Sequence, residues 1–314
     1  MKKSLPLFVR LFCISSVFLF SKSHAIVGGK IIPAELAPNA TFSWVLAFNM
    51  NPGSATYIGD GMFLTSHHGY LLAKPQDPSS SLKPFLRVVD YNQKVAVSSS
   101  TDYEILTPPI EGYKEMRDSR GKKIQVPELD LSIVRVTDPK LRERLIQTYE
   151  PFRTILNLAA KPDFESKLYI AGSGETDLKK ETASERRVGL IAVKEVNDRT
   201  LISRWTENSG ASNGTFGDSG GPLLAETQGA VTQIGVTSGR ALYVNGENKI
   251  VEAETIFVLL DYTPVKEWLK GVLESHQIAY FMRPASNTNA LEPGGEPTAA
   301  NSIRNICEKI LREN

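Results

Sequence analysis

The sequence predicts an all-β protein, and three observations carry that expectation. From about residue 26 to about 260, short apolar runs are separated by Gly, Pro, Asn, Asp or Ser, the pattern of many short strands in a sandwich or barrel. Asn245-Gly246 is a hairpin signal within that stretch. Apolar residues make up 41% of the 314 and charged residues 23%, which excludes wholesale disorder, while 23 Gly and 18 Pro exclude collagen-like and low-complexity chains.

Residues 1–25 read as a secretory signal. Lys2 and Lys3 precede an apolar stretch from Leu11 to Phe20, and Ser23 and Ala25 stand three and one positions before a cut at Ala25–Ile26. The stretch is too short for a bilayer span, and bulky Phe12 before Cys13 disfavours lipidation. The expected location is therefore secreted or periplasmic, with no membrane span in the mature chain. The formal charge of +1 points to neither nucleic acid nor an anionic membrane. Removing the signal takes away Lys2, Lys3, Arg10 and Lys22, so the remainder is slightly acidic. It also leaves Cys307 as the lone cysteine, so stability has to come from the core rather than from disulfides. Asn39-Ala-Thr41 and Asn213-Gly-Thr215 fit the glycan acceptor pattern, but the second falls where a functional surface is needed, which favours a bacterial source.

The strand candidates, in order, are Phe42 to Phe48, Leu131 to Val136, Leu168 to Ala171, Val231 to Val236 and Ile256 to Leu260. Glu111 to Lys123 and Thr176 to Arg187 read as charged surface loops. Asp138 to Lys161 has few strand signals and suits a connection between two halves. Thr263 as a capping hydroxyl before Pro264 opens a helix whose stripe is Val265, Trp268, Leu269, Val272 and Leu273. Residues 283–300 read as a linker. In 301–314, Ile303, Ile306, Cys307, Ile310 and Leu311 make an amphipathic tail helix, marginal alone and so expected to dock on its own body or on a partner.

The most specific signal is Gly217-Asp-Ser-Gly-Gly-Pro-Leu223. Its glycines let the backbone bend and bring N–H groups near a substrate, while Ser219 offers a hydroxyl. That hydroxyl needs a base. Beyond the signal the chain offers His67, His68 and His276, and the pair directly after an apolar run is the better candidate; His276 reads as surface or satisfied packing.

Four segments in one order make this chain resemble the chymotrypsin/trypsin-like serine endopeptidases. Ile26-Val-Gly-Gly29 resembles the mature N-terminus, Leu64-Thr-Ser-His-His68 the histidine segment, Asp130-Leu-Ser-Ile-Val134 the aspartate segment, and Gly217 to Leu223 the nucleophile loop. Spacing from Thr65 selects His68 over His67. The resemblance covers residues 26 to about 275 and implies two six-stranded antiparallel β-barrels, one over 26–145 and one over 146–282 with the C-terminal helix, with the active site between them. It implies Ser219 as nucleophile, His68 as base and Asp130 as the orienting carboxylate, with the N–H groups of Gly217 and Ser219 as oxyanion hole. It further implies that a freed Ile26 ammonium pairs with Asp218, so that the signal cut itself would activate the enzyme.

The chain departs from the family pattern at several positions around the expected site. Asn213 stands at the expected base of the primary pocket, so preference for Arg or Lys at the cleavage site is not expected. Thr237-Ser-Gly239 resembles the strand that pairs with substrate backbone, with Ser238 in the tryptophan's place, and Ser173 likewise replaces a usual tryptophan. Gly69 and Thr215 stand where the family has cysteines. The expectation is an endopeptidase acting on polypeptides without metal or other cofactor and without nucleic-acid partners. A catalytically idle binding module and an esterase are the competing readings.

Overall fold

The apolar runs become antiparallel strands in a computed structural model, which describes residues 26, 29–32, 44–49, 51–74, 83–90, 94–109, 112–117, 123–174, 186–227, 230–247 and 250–282. The signal-like residues 1–25, Asn39, the linker 283–300 and the tail helix with Cys307 lie outside the described residues, as does most of the loop before Arg187.

A two-residue strand, Lys30–Ile31 (β1), comes first. The first sheet then contains β2 (Trp44–Phe48), β3 (Asn51–Gly59), β4 (Met62–Thr65), β5 (Leu86–Val89), β6 (Val95–Ser99), β7 (Tyr103–Leu106) and, after a separate hairpin of β8 (Tyr113–Arg117) and β9 (Lys123–Pro127), β10 (Ser132–Val136). Helix α1 (His68–Ala73) follows β4 directly. The strand order is β6-β5-β2-β3-β4-β10-β7, which puts β6 and β7 at opposite ends although only three residues separate them in sequence. They are two halves of one bent strand, so the seven strands are a six-stranded sheet curled towards closure.

The second sheet repeats the device. It comprises β11 (Leu168–Gly172), β12 (Arg187–Leu190), β13 (Val193–Val196), β14 (Thr200–Thr206), β15 (Pro222–Thr227), β16 (Ala230–Val244) and β17 (Ile250–Leu259), in the order β1-β12-β11-β15-β16-β17-β14-β13. Between β12 and β13, Ile191 N donates to Leu168 O at 3.0 Å, while Ala192 O accepts from Arg204 N at 2.9 Å. Adjacent residues thus bond to β11 on one side and β14 on the other, which draws the row round upon itself. Six strands with one break, plus the added β1, make this barrel. The two curled antiparallel sheets are the chymotrypsin-like fold.

Alternation along the strands explains why the runs read as continuous apolar sequence. In β4, Phe63 faces the first barrel's interior with Trp44, Tyr57 and Val134, while Met62 and Leu64 face the layer between the barrels. In β10, Val134 and Val136 point inward and Ile133 points to that same layer. Both faces are covered, so both positions of the period are apolar. The inter-barrel layer is completed by Val236, Val258 and α3 (Thr263–Ser275), whose buried stripe is Val265, Leu269 and Leu273. Trp268 and Val272 of the expected stripe pack against it partly buried.

Three local expectations are revised. Helix α3 begins at Thr263 itself, Tyr262 is the residue before it, and no side chain caps it, so the Thr263 hydroxyl has no capping role. The stretch Asp138 to Lys161 holds an unexpected helix, α2 (Pro139–Tyr149), where Asp138 Oδ1 accepts from Leu141 N at 2.7 Å and proline starts the first turn. Its Tyr149 packs edge-on against Trp44, ring centroids 4.7 Å apart, and closes one end of the first barrel. Within the charged excursion expected as a surface loop, β8 and β9 pair as antiparallel strands, with Glu115 opposite Gln125 and a Lys123–Glu115 ion pair on the surface.

Candidate active site

His68 enters the site because β4 stops at Thr65 and the chain turns at once into α1. Asp130 comes from the opposite flank, two residues before β10, which pairs with β4 so that Ser132 lies beside Thr65. This antiparallel register brings the start of one strand to the end of the other. Asp130 is fully buried and grips His68 twice: Oδ1 accepts from the backbone N–H at 2.8 Å, and Oδ2 meets the ring Nδ1 at 2.7 Å. A carboxylate accepting at Nδ1 fixes the tautomer with the proton there and leaves Nε2 as the lone-pair nitrogen. Burial pushes the Asp130 carboxyl up, but the His68 ring and its hydrogen bond, the Ser238 hydroxyl and the Lys114 ammonium outweigh it and hold it at about 2. The His67 ring makes no hydrogen bond to this group among the described residues. His67 stands before α1, its ring 5.8 Å from that of Tyr70, with a buried Nδ1 lacking a partner.

The loop Gly217 to Leu223 is wedged between the barrels by its main chain. Ser219 O accepts from Ser54 N of β3 at 2.7 Å, and Ser54 Oγ donates to Gly217 O at 3.0 Å. On the other side Gly220 N donates to Thr237 O at 2.7 Å and Thr237 N to Gly221 O at 2.8 Å. Gly220 has φ +87, and a Cβ there would lie 2.2 Å from Thr65 Oγ1 and 2.9 Å from Ser66 N. Only glycine fits, and the close approach sets the residue after Ser219 against the segment that leads into His68. Gly217, at φ +91, turns the chain on the other side of the serine. Phe216 O faces Gly174, so across a trans peptide the Gly217 N–H points the opposite way. Neither Gly217 N nor Ser219 N donates to a backbone carbonyl among the described residues.

Asp218, before the serine, is fully buried in a cradle of glycines. Its Oδ1 accepts from Gly174 N at 2.8 Å, and its Oδ2 from Thr215 N at 2.7 Å, Thr215 Oγ1 at 3.1 Å and Ile26 N at 3.2 Å. A Cβ on Gly172 would stand 2.1 Å from Oδ1. Burial raises the carboxyl, against the pull of these donors. Ile26 is itself fully buried, its side chain packed into the second barrel's core.

The expected substrate-binding residues each have partners within the fold. Asn213 is buried with its amide occupied at both ends: Nδ2 donates to Gly214 O at 3.0 Å and Oδ1 accepts from Thr255 Oγ1 at 2.7 Å. Thr237 commits its N–H and carbonyl to Gly221 and Gly220 of the Ser219 loop, and Gly239 pairs with Ile256. Ser238 sits at a register shift in β16, which re-aims its side chain inward. It is fully buried and donates to Asp130 Oδ2 at 2.7 Å. The resemblance sets Ser238 in a tryptophan's place beside the expected pocket; in the fold its hydroxyl bonds the Asp130 carboxylate. Lys114 of β8, not singled out in the sequence, donates to Ser238 Oγ at 3.3 Å.

A pair of six-stranded antiparallel barrels, a His–Asp couple on the first and a Gly-Asp-Ser-Gly-Gly loop on the second, together define the trypsin-like class of serine proteases. The family model described as Trypsin matches residues 37–268, and the chain belongs to that family. Among solved structures, mouse neuropsin, a serine protease expressed in the limbic system of the brain, aligns with a TM-score of 0.49 at 14% identity, over 78% of this chain and 98% of that one. No curated protein matches the sequence. Among the described residues, no helix is long and apolar enough to cross a membrane.

Proposed function

We propose that this protein is an exported serine endopeptidase that hydrolyses peptide bonds through an acyl-enzyme. Ser219 Oγ attacks the scissile carbonyl and His68 Nε2 takes its proton and returns it to the leaving amine. Asp130 holds the imidazole's tautomer, and the N–H groups of Gly217 and Ser219 receive the oxyanion. The observation that carries this reading is the double grip of buried Asp130 on His68, at 2.8 Å on the backbone and 2.7 Å on the ring. A carboxylate buried without a partner is costly, and here its partner is the residue type a serine nucleophile requires.

The pairing of Ile26 N with Asp218 supports a second part of the proposal, in which a signal cut at Ala25–Ile26 releases the ammonium that completes the oxyanion loop. Export then activates the enzyme without a separate propeptide, and its place of action is outside the cytoplasm. A fluorophosphonate probe is expected to label Ser219 in the folded protein, and casein is expected to be cut. Failure of the probe to label would leave a binding module, and ester hydrolysis without casein hydrolysis an esterase. N-terminal sequencing of exported protein that begins anywhere but Ile26 would end the activation proposal.

A further inference from the structure

The β8–β9 hairpin does more than cover surface. Lys114 Nζ reaches out of it to Ser238 Oγ at 3.3 Å, and Ser238 Oγ in turn donates a hydrogen bond to Asp130 Oδ2 at 2.7 Å. Because an ammonium only donates, the Ser238 oxygen accepts from Lys114 and its hydrogen is committed to Asp130. The direction of every bond in the row from Lys114 through Ser238 and Asp130 to His68 is therefore fixed. Lys114 is half-buried and makes no ion pair with an acid among the described residues, whereas Lys123 on the same hairpin is taken by Glu115. Its cation therefore acts on the site.

We propose that Lys114 is a positioning residue of the proposed triad: acting through Ser238, it fixes a positive charge behind Asp130 and sets how readily His68 takes up a proton. The inference rests on the serine-protease reading of the site. Among the described residues, Lys114 and His68 are the charged or titratable groups that act on Asp130, while His67, before α1, feels Asp130, His68 and Lys74; from β16 the neutral Ser238 bonds Asp130, and the charged Arg240 acts on Asp218. Lys74 lies over the Tyr70 ring at 5.3 Å. Lys114 alone of these reaches the couple by hydrogen bonds. A cation beside Asp130 weakens the pull of that carboxylate on imidazolium, so removing it favours the charged ring.

The test uses the chain beginning at Ile26, with Lys114→Met and Lys114→Arg, at low ionic strength where screening is least. Proton NMR follows the His68 ring, and kcat/KM is measured against pH. In Lys114→Met the His68 titration and the acid limb of the rate profile should both move to higher pH by about half to one unit, a change of about three- to ten-fold in the acid constant. Lys114→Arg should titrate like the parent. A Lys114→Met protein whose His68 titrates with the parent overturns the proposal. The NMR reading needs no turnover, so a protein that fails to label with fluorophosphonate sinks the protease reading while the His68 titration still decides the role of Lys114.

Discussion

Ser238 Oγ donates to Asp130 Oδ2 across 2.7 Å, joining the second barrel's strand β16 to the carboxylate that orients a histidine of the first. Hydrogen bonds to charged groups contribute about 1.5–3 kcal/mol. Ser238→Ala leaves Asp130 with its two contacts to His68 and removes the third. The expected result is a loss of about ten-fold or more in kcat/KM, with the protein still folded, checked by steady-state kinetics beside thermal unfolding.

Asp130→Asn keeps the shape but offers an amide where the ring Nδ1–H needs an acceptor. The histidine then takes the wrong tautomer, and kcat should fall by about four orders of magnitude. The same variant carries a stability signature. The Asp130 carboxyl is held at about 2, below its ordinary value, so its contribution is fully present above about pH 4 and is lost as pH falls towards 2. Denaturant unfolding from pH 5 to 2 should show a smaller acid loss in Asp130→Asn than in the parent.

How much of this was written in the sequence follows from which interactions are local. Gly220 and Gly217 can be read from their motif because a positive φ and a 2.2 Å approach admit no other residue. The short β-runs could be read because burial on both faces makes them apolar. Helix α2 was also legible in principle: Asp138 followed by Pro139 is a start signal, but its stripe is sparse, with only Leu145 and Tyr149 buried. The role of Ser238 was not legible. It depends on a register shift in β16, and a bulge moves side chains by one position without marking the sequence. Lys114 was hidden for a similar reason, since its partner is 124 residues away and its neighbours are ordinary surface charges.

Ile26 N at 3.2 Å from Asp218 Oδ2 gives the proposed cut an energetic consequence. Burial raises the Asp218 carboxyl, so ionising it costs stability increasingly as pH rises above the ordinary carboxylate value. An ammonium at Ile26 offsets that cost; a peptide N–H does so only weakly. A chain beginning at Ile26 should be more stable at pH 7 than one with an extra Met before Ile26, by about 1–3 kcal/mol. The difference should shrink in Asp218→Asn and fade as alkaline pH deprotonates the amine. Equal melting temperatures for the two chains at pH 7 would contradict the pairing.

His67 offers a contrast with its neighbour. Its ring is buried, its Nδ1 has no partner, and burial lowers its basicity, with the nearby Asp130 opposing. A base whose folded-state pKa is depressed leaves the protein less stable as pH falls below about 6.5, because the unfolded chain takes the proton first. His67→Phe keeps a ring beside Tyr70 and removes that titration. It should add about 1 kcal/mol at pH 7 and more at pH 5, with kcat little changed, whereas His68→Ala should abolish turnover. Unfolding curves at the two pH values decide it.

The last pairing ties the two halves of the molecule together. His276, just past the end of α3, meets Asp60 Oδ2 through Nδ1 at 2.6 Å and Arg135 Nη1 through Nε2 at 3.2 Å. A guanidinium only donates, so Nε2 accepts, and Nδ1 carries the proton given to Asp60. Asp60 sits in the β3–β4 turn between Gly59 and Gly61, all three at positive φ, and also holds Arg142 of α2. The ring therefore fastens the C-terminal helix to a turn of the first barrel, as one of two partners for each group: Asp60 also holds Arg142, and Arg135 also pairs with Glu104. His276→Ala leaves a mostly buried carboxylate and a guanidinium each short of a partner, at a cost of about 2 kcal/mol, or about 4–8 °C in melting temperature. Since the clamp lies apart from Ser219 and His68, kcat should hold at temperatures well below the transition. A His276→Ala protein melting within 1 °C of the parent, a shift of about a few tenths of a kcal/mol, would show that the helix stays seated by its apolar stripe alone.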